Sequence, residues 1–233
     1  MQKLDRKIDC VFDSFKGKRR NKNKDGILVA HADQYSLFGV FDGVSSAKEA
    51  KRGVSFAISF IKKKHSQYFQ DGHLALARLM IDLNRSLVEA QMLDPYTTYS
   101  IACVPRLVEG DILISSLGDS RIYSVANQYV SQVSFLRNDH VHSNFISCYL
   151  GNENLVESDF VERTYSCSGG DLLICSDGFY LRMESSPRNL SEAHRVLNLK
   201  SLKWIKKGLA KLISGANDDD ASYVLVRLND VCQ

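Results

Sequence analysis

The chain has 233 residues, of which 44% are hydrophobic and 24% are charged, a balance that is ordinary for a soluble globular protein. A formal net charge of +3 is too small to indicate nucleic acid as a partner, and no apolar run is long enough to cross a bilayer. Six scattered cysteines favour free thiols and a cytoplasmic location, without a zinc motif. The length favours a single domain, residues 1–233, and three prolines leave no linker.

The first feature along the chain is a basic stretch at residues 16–24, with six lysines and arginines. A solvated basic loop is the preferred interpretation. Nucleic-acid binding is the alternative, which a salt-sensitive shift of labelled DNA would support. It is disfavoured because no aromatic residues are interleaved with the basic ones and no recognition motif is present.

Runs of branched and aromatic residues, bounded by turn residues, predict the strands. Short turns between most of them predict mainly antiparallel pairing, and apolar residues on both faces of several strands predict sheets covered on both sides. The predicted strands are Gly26–His31, Tyr35–Phe41, Ser100–Val104, Asp111–Ser116, Arg121–Val125, Tyr129–Phe135, Phe160–Tyr165, Asp171–Cys175 and Ser222–Leu228.

Helical spacing of apolar residues predicts three helices. The first follows Ser46, where Ser46–Glu49 matches a capping box, and the second covers about Leu74–Leu93, up to a proline. The third begins near Leu202 and ends at Gly215. The region 179–200 has no strong pattern and is expected to be a surface loop. These elements predict a β-sandwich of two antiparallel sheets with helices packed outside.

Four acidic residues have a similar place relative to their strands. Asp42, Asp119 and Asp177 follow apolar runs, and Asp219 precedes one. If the last strand is antiparallel to the others, all four carboxylates reach one edge of the sheets. Each motif alone is more often a simple turn. Together they predict a cation site, because clustered carboxylates repel one another and oxygen ligands select Mg²⁺ or Mn²⁺.

Further motifs surround these acids in a fixed order along the chain. They are Gly17–Asp25, Phe41–Gly43, Thr97–Thr98, Gly118–Arg121, Asp139–His140, Leu150–Gly151, Gly170–Gly178 and Asp219–Ser222. In this order they resemble the motifs of the metal-dependent Ser/Thr protein phosphatases of type 2C, in their compact bacterial form. The segments Gly170–Gly178 and Asp219–Ser222 are the most specific.

The resemblance implies an α+β fold, a four-layer α-β-β-α sandwich of two mainly antiparallel sheets flanked by helices. It also implies hydrolysis of phosphoserine and phosphothreonine in proteins by a metal-bound hydroxide in a binuclear site. The implied cofactors are two Mn²⁺ or Mg²⁺ ions, with a third, weaker one. The implied partner is a phosphorylated protein, with a Ser/Thr kinase opposing the reaction. We expect a monomer that binds neither nucleic acid nor membrane.

The resemblance also assigns roles to individual residues. Asp42 would bridge both metals, the Gly43 carbonyl would bind one, and Asp177 and Asp219 would complete the ligand set. Three further roles are implied: a ligand of the third metal, a clamp for the substrate phosphate, and a support for a metal-bound water. The residues that match these positions are Asp119, Arg20 and Asp25 respectively.

Two positions depart from the family pattern. Lys24 stands where the family usually has glutamate, and its ammonium is expected to weaken one metal site. Val44 cannot donate a proton, so a general acid must be water or another group. Ser45 and Ser46, which follow, are expected to cap the first helix. These departures keep open a second hypothesis, a catalytically weak module that binds a partner protein.

Overall fold

Two five-stranded antiparallel sheets face each other in this computed structural model, which describes residues 6–108, 110–126, 129–132, 146–166 and 170–230. The strands are β1 (Arg6–Phe15), β2 (Gly26–His31), β3 (Tyr35–Gly43), β4 (Phe69–Gln70), β5 (His73–Leu74), β6 (Thr97–Pro105), β7 (Ile112–Leu117), β8 (Arg121–Ala126), β9 (Tyr129–Gln132), β10 (Glu162–Tyr165), β11 (Gly170–Cys175) and β12 (Ala221–Asp230). The helices are α1 (Ala50–Lys64), α2 (Leu76–Glu89), α3 (Asp177–Glu184), α4 (Pro187–Leu197) and α5 (Leu202–Ile213).

The strand order of the first sheet is β1-β12-β11-β8-β9, and that of the second is β10-β7-β6-β3-β2. The short strands β4 and β5 form a separate hairpin. The last strand of the chain therefore lies inside the first sheet, between β1 and β11, and it runs antiparallel to both. The sequence predicts that Asp219 lies beside the other acids if the last strand is antiparallel to its neighbours, and this condition is met.

Three buried apolar clusters hold the two sheets and the two helical layers together. One fills the space between the two sheets, and the others lie between a sheet and its helices. Helices α1 and α2 cover the second sheet, while α3, α4 and α5 cover the first. The sandwich of two antiparallel sheets flanked by helices is confirmed. In the described residues, no helix combines the length and the apolar character needed to cross a membrane.

The twofold alternation of strand side chains carries polar groups to one end of the space between the sheets. Phe38 and Val40 of β3 point into the inter-sheet cluster, so Asp42, two residues on, continues the same row. In β11 and β12 the corresponding rows run through Ile174 to Ser176 and from Val224 back to Ser222. The apolar rows thus end in polar side chains at the same edge of the sandwich.

Several predicted boundaries are wrong, and the largest error concerns residues 179–200. That region forms most of α3 and α4 rather than a loop. A signal was present at α4: Ser186 caps the helix by accepting a hydrogen bond from the Asn189 backbone N–H at 3.2 Å, and proline follows it. The strand β1 was not predicted, because this partly exposed edge strand mixes charged and apolar residues.

The predicted caps of the first helix are also wrong. Helix α1 begins after Glu49, and no side chain caps it. The Glu49 carboxylate instead accepts a hydrogen bond from the Leu93 backbone N–H at 2.6 Å, which joins α1 to the segment after α2. Helix α2 ends at Glu89, four residues earlier than predicted. The predicted strand Tyr129–Phe135 is found at Tyr129–Gln132, and its last three residues lie outside the described part of the chain.

Candidate functional site

Three carboxyl groups meet at the polar end of the sandwich. Asp42, at the end of β3, hydrogen bonds with Asp177 at the start of α3 and with Asp25, which precedes β2. The Asp25 carboxylate, with only 2% of the residue exposed, also accepts a hydrogen bond from the Ser176 hydroxyl at 2.9 Å. The negative charge of Asp119, on the turn between β7 and β8, acts on both Asp42 and Asp177.

Burial and mutual repulsion raise the proton affinity of these acids. Loss of solvent raises the pKa of Asp25 to about 7, with the charge of Asp220 adding to the effect. Loss of solvent, and then the charge of Asp119, raise the pKa of Asp177 to about 6. The pKa of Asp42 lies well above its usual range for the same first reason, reinforced by Asp25 and Asp177. The cluster therefore needs positive charge, supplied either by protons or by a cation.

Asp219 lies at the edge of this cluster and is held by Arg20. The Arg20 Nε donates to Asp219 Oδ1 at 2.5 Å, and Arg20 Nη2 donates to Asp219 Oδ2 and to the Ser45 hydroxyl. The paired carboxylate raises the pKa of Arg20 further above its ordinary value. Asp219 adds its negative charge to the field at Asp177, so it belongs to the same electrostatic group.

The loop that carries Arg20 is fastened to the segment before β12. The buried Asp220 carboxylate, with 3% of the residue exposed, accepts hydrogen bonds from the backbone N–H groups of Gly17 at 2.8 Å and Lys24 at 2.7 Å. A Cβ at Gly17 would lie 2.4 Å from the backbone carbon of Asp219, so only glycine permits this approach. Asp220 therefore sets the position of Arg20 relative to Asp219.

Helix α3 approaches the same segment closely. A Cβ at Gly178 would lie 2.1 Å from the Asp220 carbonyl oxygen, which explains the glycine after Asp177. The other end of α3 is tied to β8 by Arg121, which lies 3.6 Å from the Tyr180 ring centroid and bonds Glu184 at 3.1 Å. The Asp-Gly pair therefore begins a helix whose orientation is fixed at both ends.

Hydroxyl groups of β6 fix the neighbouring strand ends. The Thr97 hydroxyl donates to the Asp42 carbonyl oxygen at 2.9 Å, and the Thr98 hydroxyl bonds Ser120 at 2.9 Å. Gly118 has a φ of +90°, and a Cβ there would meet the Thr98 side chain at 2.5 Å. These contacts place the turn with Asp119 beside the end of β3.

The donor set fits a hard divalent cation. All the converging groups are oxygen donors, which suit Mg²⁺ and Mn²⁺. Among the described residues, the buried oxygens Asp25 Oδ1 and Asp177 Oδ1 have no hydrogen-bond partner. No three histidine, cysteine or acidic side chains of the described residues already form a ready metal cage. One reason is visible, since both oxygens of Asp219 bond Arg20.

The structure thus brings together six of the residues that the sequence singled out. They are Arg20, Asp25, Asp42, Asp119, Asp177 and Asp219, and the Gly43 backbone follows Asp42 directly. Asp139 and His140 lie outside the described residues. The structural importance of Asp220 and Ser176 was missed, although both sit inside quoted motifs. Their buried rows are the signal, since a polar residue that continues an inward-facing row must find a partner.

Lys24 does not point its ammonium at the carboxyl cluster. Its Nζ donates to the backbone carbonyl oxygens of Ser45 at 2.8 Å and Ala47 at 3.0 Å. These bonds tie the Arg20 loop to the turn after Gly43. The carbonyl dipoles therefore partly neutralise the positive charge of Lys24. Any repulsion between Lys24 and a bound metal ion would come from a charge beside the carboxyl cluster and not inside it.

We expect Lys24→Glu to lower the Mn²⁺ concentration needed for half-maximal activity by a factor of about three to ten, the range for a nearby charge or a partner behind the ligands. Lys24→Met removes the charge without adding an acid and should give a smaller shift. Mn²⁺ titrations of activity and of Tm measure both variants. Unchanged titrations in the two variants would contradict a charge effect of Lys24 on the metal.

Comparisons with known proteins agree with the fold described above. A family model described as Protein phosphatase 2C matches residues 17–214, and no curated protein matches the chain. The serine/threonine phosphatase Stp1 from Staphylococcus aureus has a similar structure, with a TM-score of 0.75, 19% sequence identity, and 98% coverage of each chain.

Two further solved structures share the fold. The S. agalactiae serine/threonine phosphatase has a TM-score of 0.74 and 18% identity, covering 96% of this chain and 100% of that one. The PPM Ser-Thr phosphatase MsPP from Mycobacterium smegmatis, in complex with cacodylate, has a TM-score of 0.72 and 17% identity, covering 95% of this chain and 98% of that one. The matched family model spans most of the chain, which therefore belongs to the protein phosphatase 2C family.

Proposed function

We propose that this protein is a metal-dependent phosphatase that hydrolyses phosphoserine and phosphothreonine in proteins, acting as a single domain. The observation that carries the proposal is the carboxyl cluster of Asp42, Asp177 and Asp25, which has high proton affinity and buried oxygens without partners. Such a cluster is costly to the fold unless it binds positive charge. Because the chain belongs to the protein phosphatase 2C family, we infer that this positive charge is a catalytic metal ion.

The proposed ligands are the residues at the meeting point of the two sheets. Asp42 would be shared by two Mn²⁺ or Mg²⁺ ions, with Asp177, Asp219 and the Gly43 carbonyl as the other protein ligands. Asp119 is the proposed ligand of a third, weaker ion. The ions would supply an activated water at neutral pH and positive charge for the phosphoryl oxygens. Asp25 would support the site by orienting water beside Asp42.

Arg20 is the proposed phosphate clamp. It now bonds both oxygens of Asp219, so it must release at least one of them if Asp219 is to serve as a ligand. A phosphate dianion is the natural alternative partner, because guanidinium pairs with phosphate through two parallel hydrogen bonds. The Ser45 hydroxyl, which also accepts from Arg20, keeps the guanidinium near the mouth of the site.

Proton delivery to the leaving alkoxide is the step with the fewest candidates. Val44 has no ionisable group, and its backbone N–H is used in a bond to the Tyr96 carbonyl oxygen at 3.0 Å. The carboxyl groups at the site would be ionised by the metals. The leaving group is therefore expected to take its proton from water.

The test is hydrolysis of p-nitrophenyl phosphate and of phosphoserine and phosphothreonine peptides by metal-free protein to which Mn²⁺ or Mg²⁺ is returned. We expect activity only with the metal, and its removal again by a chelator. Phosphotyrosine peptides serve as the comparison substrate. Absence of turnover with every phosphopeptide at saturating Mn²⁺ would sink the proposed activity.

A second candidate, a partner-binding module without turnover, is favoured by one observation. Arg20 bonds both carboxylate oxygens of the proposed ligand Asp219, on the same loop where Lys24 replaces the usual family glutamate. Calorimetric titration with Mn²⁺ separates the candidates. A tight divalent site supports the enzyme, whereas its absence supports the module.

A further inference from the structure

The outer surface of the helical layer over the first sheet carries a groove unrelated to the carboxyl cluster. It lies between α4 and α5 and has a volume of about 510 Å³. Val196, Leu199 and Gly208 form its floor, and the Trp204 ring forms one wall. A Cβ at Gly208 would lie 2.7 Å from Val196 Cγ1, so the glycine lets the two helices approach closely under the groove.

Trp204 is a large apolar side chain of α5 that faces the solvent rather than the core. It is the one tryptophan of the sequence, and 57% of it is exposed. The other large apolar side chains of α5 pack inward: Ile205, Leu209, Leu212 and Ile213 are all buried against the first sheet. Because Trp204 adjoins an apolar concavity, it suits the role of an interface anchor, a role in which tryptophan is enriched.

The rim of the groove is strongly basic. Lys200, Lys207 and Lys211 line it, and no carboxylate of the described residues lies within ion-pair distance of any of the three, although the charge of Lys211 acts on Glu192. The Lys207 ammonium lies 5.2 Å from the Trp204 ring centroid. Arg195 stands at the outer end, where it is already paired with Glu192 at 2.6 Å. Helix α5 itself has four lysines and no acidic residue.

We propose that this groove binds an acidic peptide segment of a partner protein, one that carries an aromatic or branched apolar side chain between its carboxylates. The apolar floor and the Trp204 wall would receive that side chain, and the exposed lysines of the rim would bond the flanking acids. The volume lies within the range of pockets that enclose a small ligand. This proposal does not depend on phosphatase activity.

An anionic membrane is the competing occupant, and the shape of the surface disfavours it. Helices that lie on membranes present a broad convex apolar face to the lipid. Here α5 turns that face into the core, and the accessible apolar surface is concave with a single indole beside it. A peptide side chain can enter such a groove, whereas a flat lipid surface reaches only its rim.

The sole tryptophan gives a direct test. The probe is a short peptide of sequence EEDLFEDE, titrated into the full-length protein while the Trp204 emission is followed. We expect a saturable change with a Kd in the range of about 10 to 100 µM, weakened by salt as for any exposed charge pairing. The peptides EEDSSEDE and KKDLFKDK should bind at least about tenfold more weakly, since each lacks one half of the recognition.

Variants of the same helix provide the matched control. The double variant Lys207→Glu/Lys211→Glu should weaken EEDLFEDE at least about tenfold, whereas Lys203→Glu should change it less than about twofold, because Lys203 lies on α5 outside the groove. All three lysines are exposed, so equal Tm values should show that the variants fold. Equal weakening by Lys203→Glu, or binding to phosphatidylserine vesicles without binding to the peptide, would overturn the proposal.

Discussion

Replacing Asp42 by asparagine is expected to abolish phosphatase activity while making the metal-free protein more stable. The loss in kcat/KM should be at least about 10³-fold, because Asp42 is the proposed shared ligand of metal ions that would supply several kcal/mol of transition-state stabilisation. The gain in stability follows from removing a carboxyl group whose pKa is raised by burial and by its acidic neighbours. An asparagine amide can donate a hydrogen bond to its acidic neighbours while staying neutral, whereas the Asp42 carboxyl group must first take up a proton to do so.

The difference in Tm between the variant and the unchanged protein should change sign when metal is added, which makes the prediction easy to contradict. Without metal, the variant should have a Tm at least about 2 °C higher than the unchanged protein, the shift that 1 kcal/mol gives in a domain of this size. With Mn²⁺ at about a hundred times its Kd, the unchanged protein should gain about 2.7 kcal/mol, and the variant little. The order of the two Tm values should therefore reverse.

The control for this prediction is Asp218→Asn. This substitution removes the same charge from the loop between α5 and β12. Asp218 is exposed, and its carboxylate pairs with Arg19 at 3.3 Å. It should leave both Tm values and the activity nearly unchanged. If Asp218→Asn stabilises the metal-free protein as much as Asp42→Asn, the gain reflects net charge and not relief of the cluster.

Asp220→Ala is expected to have the second-largest effect, through position rather than through direct contact with a reacting group. The substitution removes two charge-assisted bonds to the backbone N–H groups of Gly17 and Lys24, and should cost roughly 2–4 kcal/mol of unfolding free energy. The loop that carries Arg20 would lose its fastening to the segment before β12. Below the lowered Tm, KM for a phosphopeptide should rise about tenfold, with a smaller fall in kcat.

The isosteric variant sharpens this test. Asp220→Asn keeps one accepting oxygen but turns an amide N–H group toward a backbone donor, so its stability and KM should lie between those of the unchanged protein and Asp220→Ala. Asp218→Ala is the exposed control and should alter neither. A lower Tm with an unchanged KM would mean that Asp220 only stabilises the fold and does not position Arg20.

The convergence of Asp42, Asp177 and Asp219 at one edge of the sheets could be predicted from the sequence because two simple rules fix it. Strand alternation decides which side chains continue an inward-facing row, and antiparallel pairing brings the start of β12 beside the end of β11. Asp42, Asp177 and Asp219 follow from these rules and from the order of the motifs. Their direct neighbours do not, because the Arg20–Asp219 pairing depends on side-chain rotamers that no periodicity encodes.

The helices α3 and α4 were missed for a different reason. Helix α3 is short and buries Phe179, Tyr180 and Met183, so its apolar residues do not form the clear stripe of a longer amphipathic helix. Its formation depends on tertiary contacts, such as that of Arg121 with Tyr180. Helix α4 did carry a local signal in Ser186 and Pro187, which residue periodicity alone overlooks.

The place of β12 within the first sheet has a consequence for how the molecule is made. Residues 221–230 pair with β1 on one side and with β11 on the other. Both of these strands are synthesised before β12, so the first sheet cannot be complete until β12 is inserted between them. Arg20 and Asp219 are in contact although they lie 199 positions apart in the sequence. On the ribosome, therefore, the helices over the second sheet can assemble early, whereas the pairing of Arg20 with Asp219 can form only after β12 has left the exit tunnel.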